Sequence, residues 1–173
     1  MKKNTLLVIL AIAAFSSSAF AQTVVSEAAT ATATIITPIA ITKVADMNFG
    51  DISTNGTDGT VVLINGSANT RTATGGVSFS AATPGTVTSA QFTVTGKADY
   101  GYSISIPATI TLKQADNSAV MEVTDIKNSV GANGTLTGGT QDIFVGGTLI
   151  LVGAQLAGVY TNTTDLKVTV NYN

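Results

Sequence analysis

The sequence predicts an all-β protein: a single antiparallel β-sandwich that follows an export signal. Three observations carry this. Apolar and polar residues alternate with a period of two along several short runs, and no long 3.6-residue apolar period competes. Asn55-Gly56, Asp58-Gly59, Asn65-Gly66 and Asn133-Gly134 supply residues that reach the positive φ angles of tight hairpins. Apolar residues make up 45% of the chain, enough for a packed core without staples.

The elements follow in order. Residues 1–21 read as a signal peptide: Lys2 and Lys3, a short apolar run at 6–14 (LLVILAIAA), then Ala19-Phe20-Ala21, which fits the small-x-small cleavage rule. A membrane anchor is the competing reading. Spanning needs about 20 apolar residues, and Ser16-Ser17-Ser18 interrupts the run well short of that. Gln22 is therefore the expected mature start, leaving 152 of 173 residues, the size of one domain with no span of its own. Export through the inner membrane is expected, to the periplasm, the cell surface or beyond.

The first predicted strand covers 29–37. Ala29, Ala31, Ala33 and Ile35 share one side with Thr between them, and Pro38 behind them suits an edge. Residues 22–37 are set apart as an N-terminal strand or donor segment, and 38–173 as the sandwich. Further strands are expected over 39–44, 60–64, 76–81, 88–96, 102–106, 109–113, 119–126, 143–152 and 166–172. In 88–96, Ala90, Phe92 and Val94 oppose Gln91, Thr93 and Thr95; in 102–106, Tyr102, Ile104 and Ile106 oppose Ser103 and Ser105. Residues 143–152 are apolar on both faces, with Gly146-Gly147 inside, which predicts a core strand kinked or bulged at the glycines. In 166–172, Leu166, Val168, Val170 and Tyr172 oppose Lys167, Thr169 and Asn171. Phe49, Phe79, Phe92, Ile104, Leu149, Val168 and Val170 are the expected core.

Composition closes off much chemistry. Cys and His are both absent, which removes disulfides, thiolate and imidazole metal sites, and the commonest nucleophiles and bases. The six basic residues after the signal (Lys43, Arg71, Lys97, Lys113, Lys127, Lys167) are scattered against ten acidic ones, so no basic patch exists for nucleic acid. Asp51, Ser53, Asn55, Gly56 and Asp58 resemble the start of a calcium loop, but Val62 stands where a bidentate Glu is required. Neither a metal nor any other cofactor is expected. Asn55, Asn65, Asn133 and Asn162 open glycosylation sequons, which in a Thr-rich β protein read as ordinary turns. Glu122 and Asp125 are the nearest thing to an acidic cluster, and strand parity sends them to opposite faces. Tyr100 and Tyr102 share a face; packing explains them more simply than sugar stacking. An enzyme is the reading least supported by these residues.

With the strands placed, a family resemblance emerges. The segments 35–52 (IITPIAITKVADMNFGDI), 90–96 (AQFTVTG), 102–107 (YSISIP), 145–149 (VGGTL) and 158–173 (GVYTNTTDLKVTVNYN) resemble a bacterial secreted domain-of-unknown-function family, the one numbered forty-four-zero-two. The resemblance implies an immunoglobulin-like, pilin-like sandwich. Pilins of the chaperone–usher route, from Gram-negative bacteria, carry a Gly near the C-terminus, an alternating last strand and a penultimate Tyr. Gly158, Leu166, Val168, Val170 and Tyr172 fit that pattern. Such pilins donate an alternating N-terminal strand to a neighbour, and Ala29, Ala31, Ala33 and Ile35 are similar to one, although less apolar. The disulfide common in pilins is missing.

A structural, cell-surface role is thus the expectation: a non-enzymatic fibre or fimbrial subunit that adds strands between copies of itself, with a periplasmic chaperone as a second partner implied by the resemblance. The alternatives are an autonomous secreted adhesin gripping carbohydrate or another surface ligand, and a small outer-membrane β-barrel, against which the 6% aromatic content and absence of Trp count.

Overall fold

The computed structural model describes residues 24–173; the signal segment and the expected cleavage point lie outside them. Two units separate, Met1–Thr34 and Ile35–Asn173. In the first, residues 24–34 have no secondary structure and are exposed. The strand predicted over 29–37 is therefore not formed within the chain. Its Ala and Thr side chains bury little apolar surface, too little to offset the entropy of ordering, and Pro38 offers no N–H to a ladder.

The second unit is all-β. Its strands are β1 (Ala40–Ala45), β2 (Asn48–Phe49), β3 (Ser53–Leu63), β4 (Arg71–Ser78), β5 (Val87–Thr88), β6 (Ala90–Thr95), β7 (Gly101–Ser105), β8 (Ile110–Lys113), β9 (Val120–Asn128), β10 (Asn133–Thr135), β11 (Thr140–Leu151) and β12 (Thr169–Tyr172). Every pairing is antiparallel. Nine of the expected strands are present. β2 and β10, of two and three residues, are too short for a sequence period to register.

β11 organises the larger sheet. Val145 pairs with both Ala90 of β6 and Asn128 of β9, and Leu149 pairs with both Val61 of β3 and Val123 of β9. A strand has only two edges, so β9 runs along one while β6 and β3 share the other. The sheet therefore forks beyond β11, one branch reaching β1 through β6 and the other β4 through β3. Gly146 sits at the fork. A Cβ there would overlap the Leu63 carbonyl and the Asn65 N–H group, which explains the glycine. The expected irregularity is present too, since the β9–β11 register shifts between Gly146 and Thr148. Ser89 closes the fork: its hydroxyl donates to Ile64 O at 2.6 Å, and its N–H donates to Asn69 Oδ1.

A second sheet, ordered β10-β7-β12, shares one core with the first. Alternation does the packing. Ala90, Phe92 and Val94 of β6 are buried, as are Tyr102 and Ile104 of β7 and Val170 of β12. The buried Tyr102 hydroxyl is satisfied by Gln141 Oε1 of β11 at 2.8 Å, tying the sheets together. Of the expected core, Phe49, Phe92, Ile104, Leu149 and Val170 are buried, while Phe79 and Val168 pack half-buried at its margin. Terminal strands leave open sheet edges among the described residues, so the architecture is a sandwich rather than a closed barrel. No described helix is long and apolar enough to cross a membrane.

The expected Asn-Gly and Asp-Gly turns also change on contact with the structure. Asn55-Gly56 and Asp58-Gly59 do not turn a hairpin; they lie in a bulge of β3, where Thr54 pairs with Val77 and Gly59 with Gly75. Side-chain bonds from Thr57 to Asn55 Oδ1 hold that bulge, and the glycines Gly56 and Gly75 take its positive φ angles. Asn133-Gly134 is likewise inside β10 rather than a turn.

Candidate assembly groove

Two open edges define the site. β1 ends the larger sheet and pairs only with β6, and β12 ends the smaller sheet and pairs only with β7. They are joined at one end by a single side chain. The Tyr172 hydroxyl accepts from Lys97 N at 2.6 Å and donates to Thr37 O at 2.8 Å, just ahead of β1. Gly96 makes room for it, because a Cβ there would overlap that hydroxyl. Tyr100 packs edge-on against the Tyr172 ring, centroids 5.8 Å apart.

At the other end, Lys43 and Ala45 of β1 and Leu166 ahead of β12 border a cavity of about 1160 Å³. Its apolar wall comes from Phe92, Leu112, Met121, Leu149 and Leu151. Residues 155–163 form its lip. Side chains rather than a ladder fasten this strap. Gln155 Nε2 donates to Val120 O at 3.1 Å and to the Tyr160 hydroxyl at 2.7 Å, and Gln114 Nε2 donates to Ala157 O. One isolated bridge, Lys113 with Thr161, covers part of the β8 edge. Asn162 donates to Thr111 O and to Asp165 Oδ2 while its own Oδ1 accepts from Thr164 N and Asp165 N. Those bonds from Asn162, and then from Thr164, hold the Asp165 carboxyl below the ordinary carboxylate pKa.

The residues singled out from sequence distribute as follows. Tyr172 and Val170 lie in β12, with Val170 buried. Leu166 and Val168 are half-buried against the core but unpaired, since the ladder with β7 starts only at Thr169. Gly158 lies in the strap at φ 152°, where a Cβ would overlap the Gln114 amide. Ile35 is 98% exposed, and Ala29, Ala31 and Ala33 are exposed as well. Thr37, Lys97, Gln155 and Asn162 were not expected in this site. Only Asn162 stood in a pattern that drew notice, as a sequon, because a backbone-to-hydroxyl contact leaves no mark in sequence.

The chain matches the family model described as a domain of unknown function, DUF4402, over residues 39–172. It belongs to the DUF4402 family. No curated protein and no solved structure matches it. The DUF4402 match begins at Ile39, after the segment that carries the Ala/Thr alternation, and takes in both open edges, the cavity and Tyr172.

The other candidate constellations take different places in this DUF4402 domain. Asp58 Oδ1 accepts from Gly153 N at 2.7 Å, and Asn55 Oδ1 is taken by Thr57, so the oxygens of the calcium-like run serve the bulge. No group of metal-ligating side chains occurs among the described residues. Glu122 and Asp125 do not take opposite faces. Asp125 has φ 49° in the β9 irregularity, which resets the parity, so Val123 and Ile126 are both buried and both acids are exposed. Tyr100 and Tyr102, expected to share a face, part instead: Tyr102 is buried, which raises its pKa, and Tyr100 is exposed.

Proposed function

We propose that this protein is an exported, non-enzymatic cell-surface subunit that assembles by β-strand addition between copies of itself. The N-terminal segment of one copy would enter the groove between β1 and β12 of the next. The observation that carries the reading is the pairing of an unpartnered strand with an unpartnered site. Residues 24–34 remain exposed and without secondary structure, and 29–34 alternate Ala with Thr, while β1 and β12 present open edges and a cavity with one apolar wall lies between β1 and Leu166. An added strand would gain backbone hydrogen bonds from either edge, and alternate side chains would set its register. Leu166 and Val168 keep strand alternation without a ladder, as expected of an edge awaiting a partner.

The test is the mass of the mature chain, from Gln22, in dilute solution without denaturant. Fibres or oligomers are expected for the native sequence. Replacing Ala31 or Ala33 by Asp would bury an unpaired charge, at a cost of several kcal/mol, and should leave monomers. A native chain that stays monomeric at every concentration would remove strand exchange and leave an autonomous secreted binding module. The exposed ring of Tyr100 would then be the place to seek a sugar ligand.

A further inference from the structure

We infer that Tyr172 is a positioning residue for strand donation: its hydroxyl caps the β1–β6 ladder and fixes Thr37 as the root of the donated segment. This inference rests on the strand-addition reading above. The geometry is specific. Gly96 N donates to Gly139 O, away from β1, and N–H groups alternate along an extended chain. The Lys97 N–H therefore points to the β1 edge. Ala40 pairs with Thr95, so the next rung of the ladder would join Pro38 to Lys97. Pro38 has no N–H to return to the Lys97 carbonyl, so that rung could hold at most the one bond from Lys97 N to Pro38 O.

In place of that rung stands the Tyr172 hydroxyl, which takes the Lys97 N–H and donates to Thr37 O. A hydroxyl can do both at once, and a phenyl ring can do neither. The contact also joins two functions. Tyr172 lies in β12, an edge of the acceptor groove, and Thr37 leads into β1 at the base of the donor segment. One side chain thus holds the root of an outgoing strand against the edge that receives an incoming one. The Tyr100 ring and the absence of a Cβ at Gly96 keep the phenol in place.

The experiment separates donating from accepting. Ala31→Asp chains cannot donate and serve as acceptors. Native and Tyr172→Phe chains are compared as donors to them by the rate of co-assembly. In parallel, Tyr172→Phe/Ala31→Asp chains are compared with Ala31→Asp chains as acceptors of native donors. Amide exchange at Lys97 reads the latch itself. The expected result is faster Lys97 exchange in Tyr172→Phe and donation slowed roughly three- to tenfold, the range a lost hydrogen bond produces, with a smaller change in acceptance. Gly96→Ala, which crowds the hydroxyl from the other side, should act in the same direction. Unchanged Lys97 exchange, unchanged donation, or acceptance falling as much as donation would each overturn the inference. Native donors that fail to join Ala31→Asp acceptors at all would instead bring down the strand-addition reading, and the inference with it.

Discussion

Arg71 shows how much one side chain settles where charges are scarce. Its guanidinium donates to Phe49 O and to Pro84 O, the latter at 2.8 Å, and lies 3.9 Å over the Phe79 ring. Burial lowers its pKa, against the opposing pull of Asp51. It joins the first residue of β4 to the Gly50 turn and to the loop before β5. A lysine keeps the charge but cannot supply two forked donors and a stacking plane. Arg71→Lys should therefore cost about 1–3 kcal/mol in denaturant unfolding. Asp165 offers a second residue-level outcome. Its pKa is lowered by Asn162 and then Thr164, against the opposition of desolvation and with still smaller help from Lys113 and Lys167. A depressed carboxylate contributes its stability fully above the ordinary pKa and loses it as the pH falls through the lowered one. The strap should loosen across that acid window, read as faster amide exchange at residues 160–165, and Asp165→Asn should remove the pH dependence.

Among the elements, β11 explains most. Residues 143–152 read from sequence as a core strand kinked or bulged at two glycines, and the register shift beside Gly146 bears that out. The strand's role as the stem of a forked sheet was not legible, because partners on each edge are chosen by distant segments. The fork makes a sharp contrast testable. Gly146→Ala places a methyl group against the backbone of Leu63 and Asn65, atoms that cannot rotate away, and should cost roughly 3 kcal/mol or more. Gly66→Ala meets nothing within 4 Å and should change stability by less than about 0.5 kcal/mol. Equal thermal melts for the two variants would contradict the fork.

At the largest scale, the core formed among the described residues comes from the second unit. Its buried members start at Phe49, and the half-buried residues packed on them start at Ile39. A chain lacking residues 24–34 is thus expected to keep the β-type far-UV spectrum and melting midpoint of a native chain held monomeric by Ala31→Asp, while losing the ability to donate. A collapse of the midpoint in the shortened chain would show that the segment belongs to the fold. Equal midpoints together with lost assembly would assign it to the contact between copies.

The all-β class, most of the strands, the alternating core of β6 and β7 and the irregularity in β11 could be read from local pattern alone. These features depend on neighbours one, two or three residues apart, and a period of two records them directly. Alternation also picked out Ala29–Ile35 and the run ending at Tyr172, and the resemblance, not any contact, gave them an expected role in assembly. The rest depended on how the strands came together. Asn55-Gly56 and Asn133-Gly134 have turn chemistry, yet strand pairing across the sheet absorbed one into a bulge and the other into β10. Asp125 left its expected face because β9 had to follow the irregularity opposite Gly146. Tyr172 met Thr37 and Lys97 from 135 and 75 residues away. Such contacts follow from which edges the sheets leave open, and an open edge is a property of the assembled sandwich that no local pattern encodes.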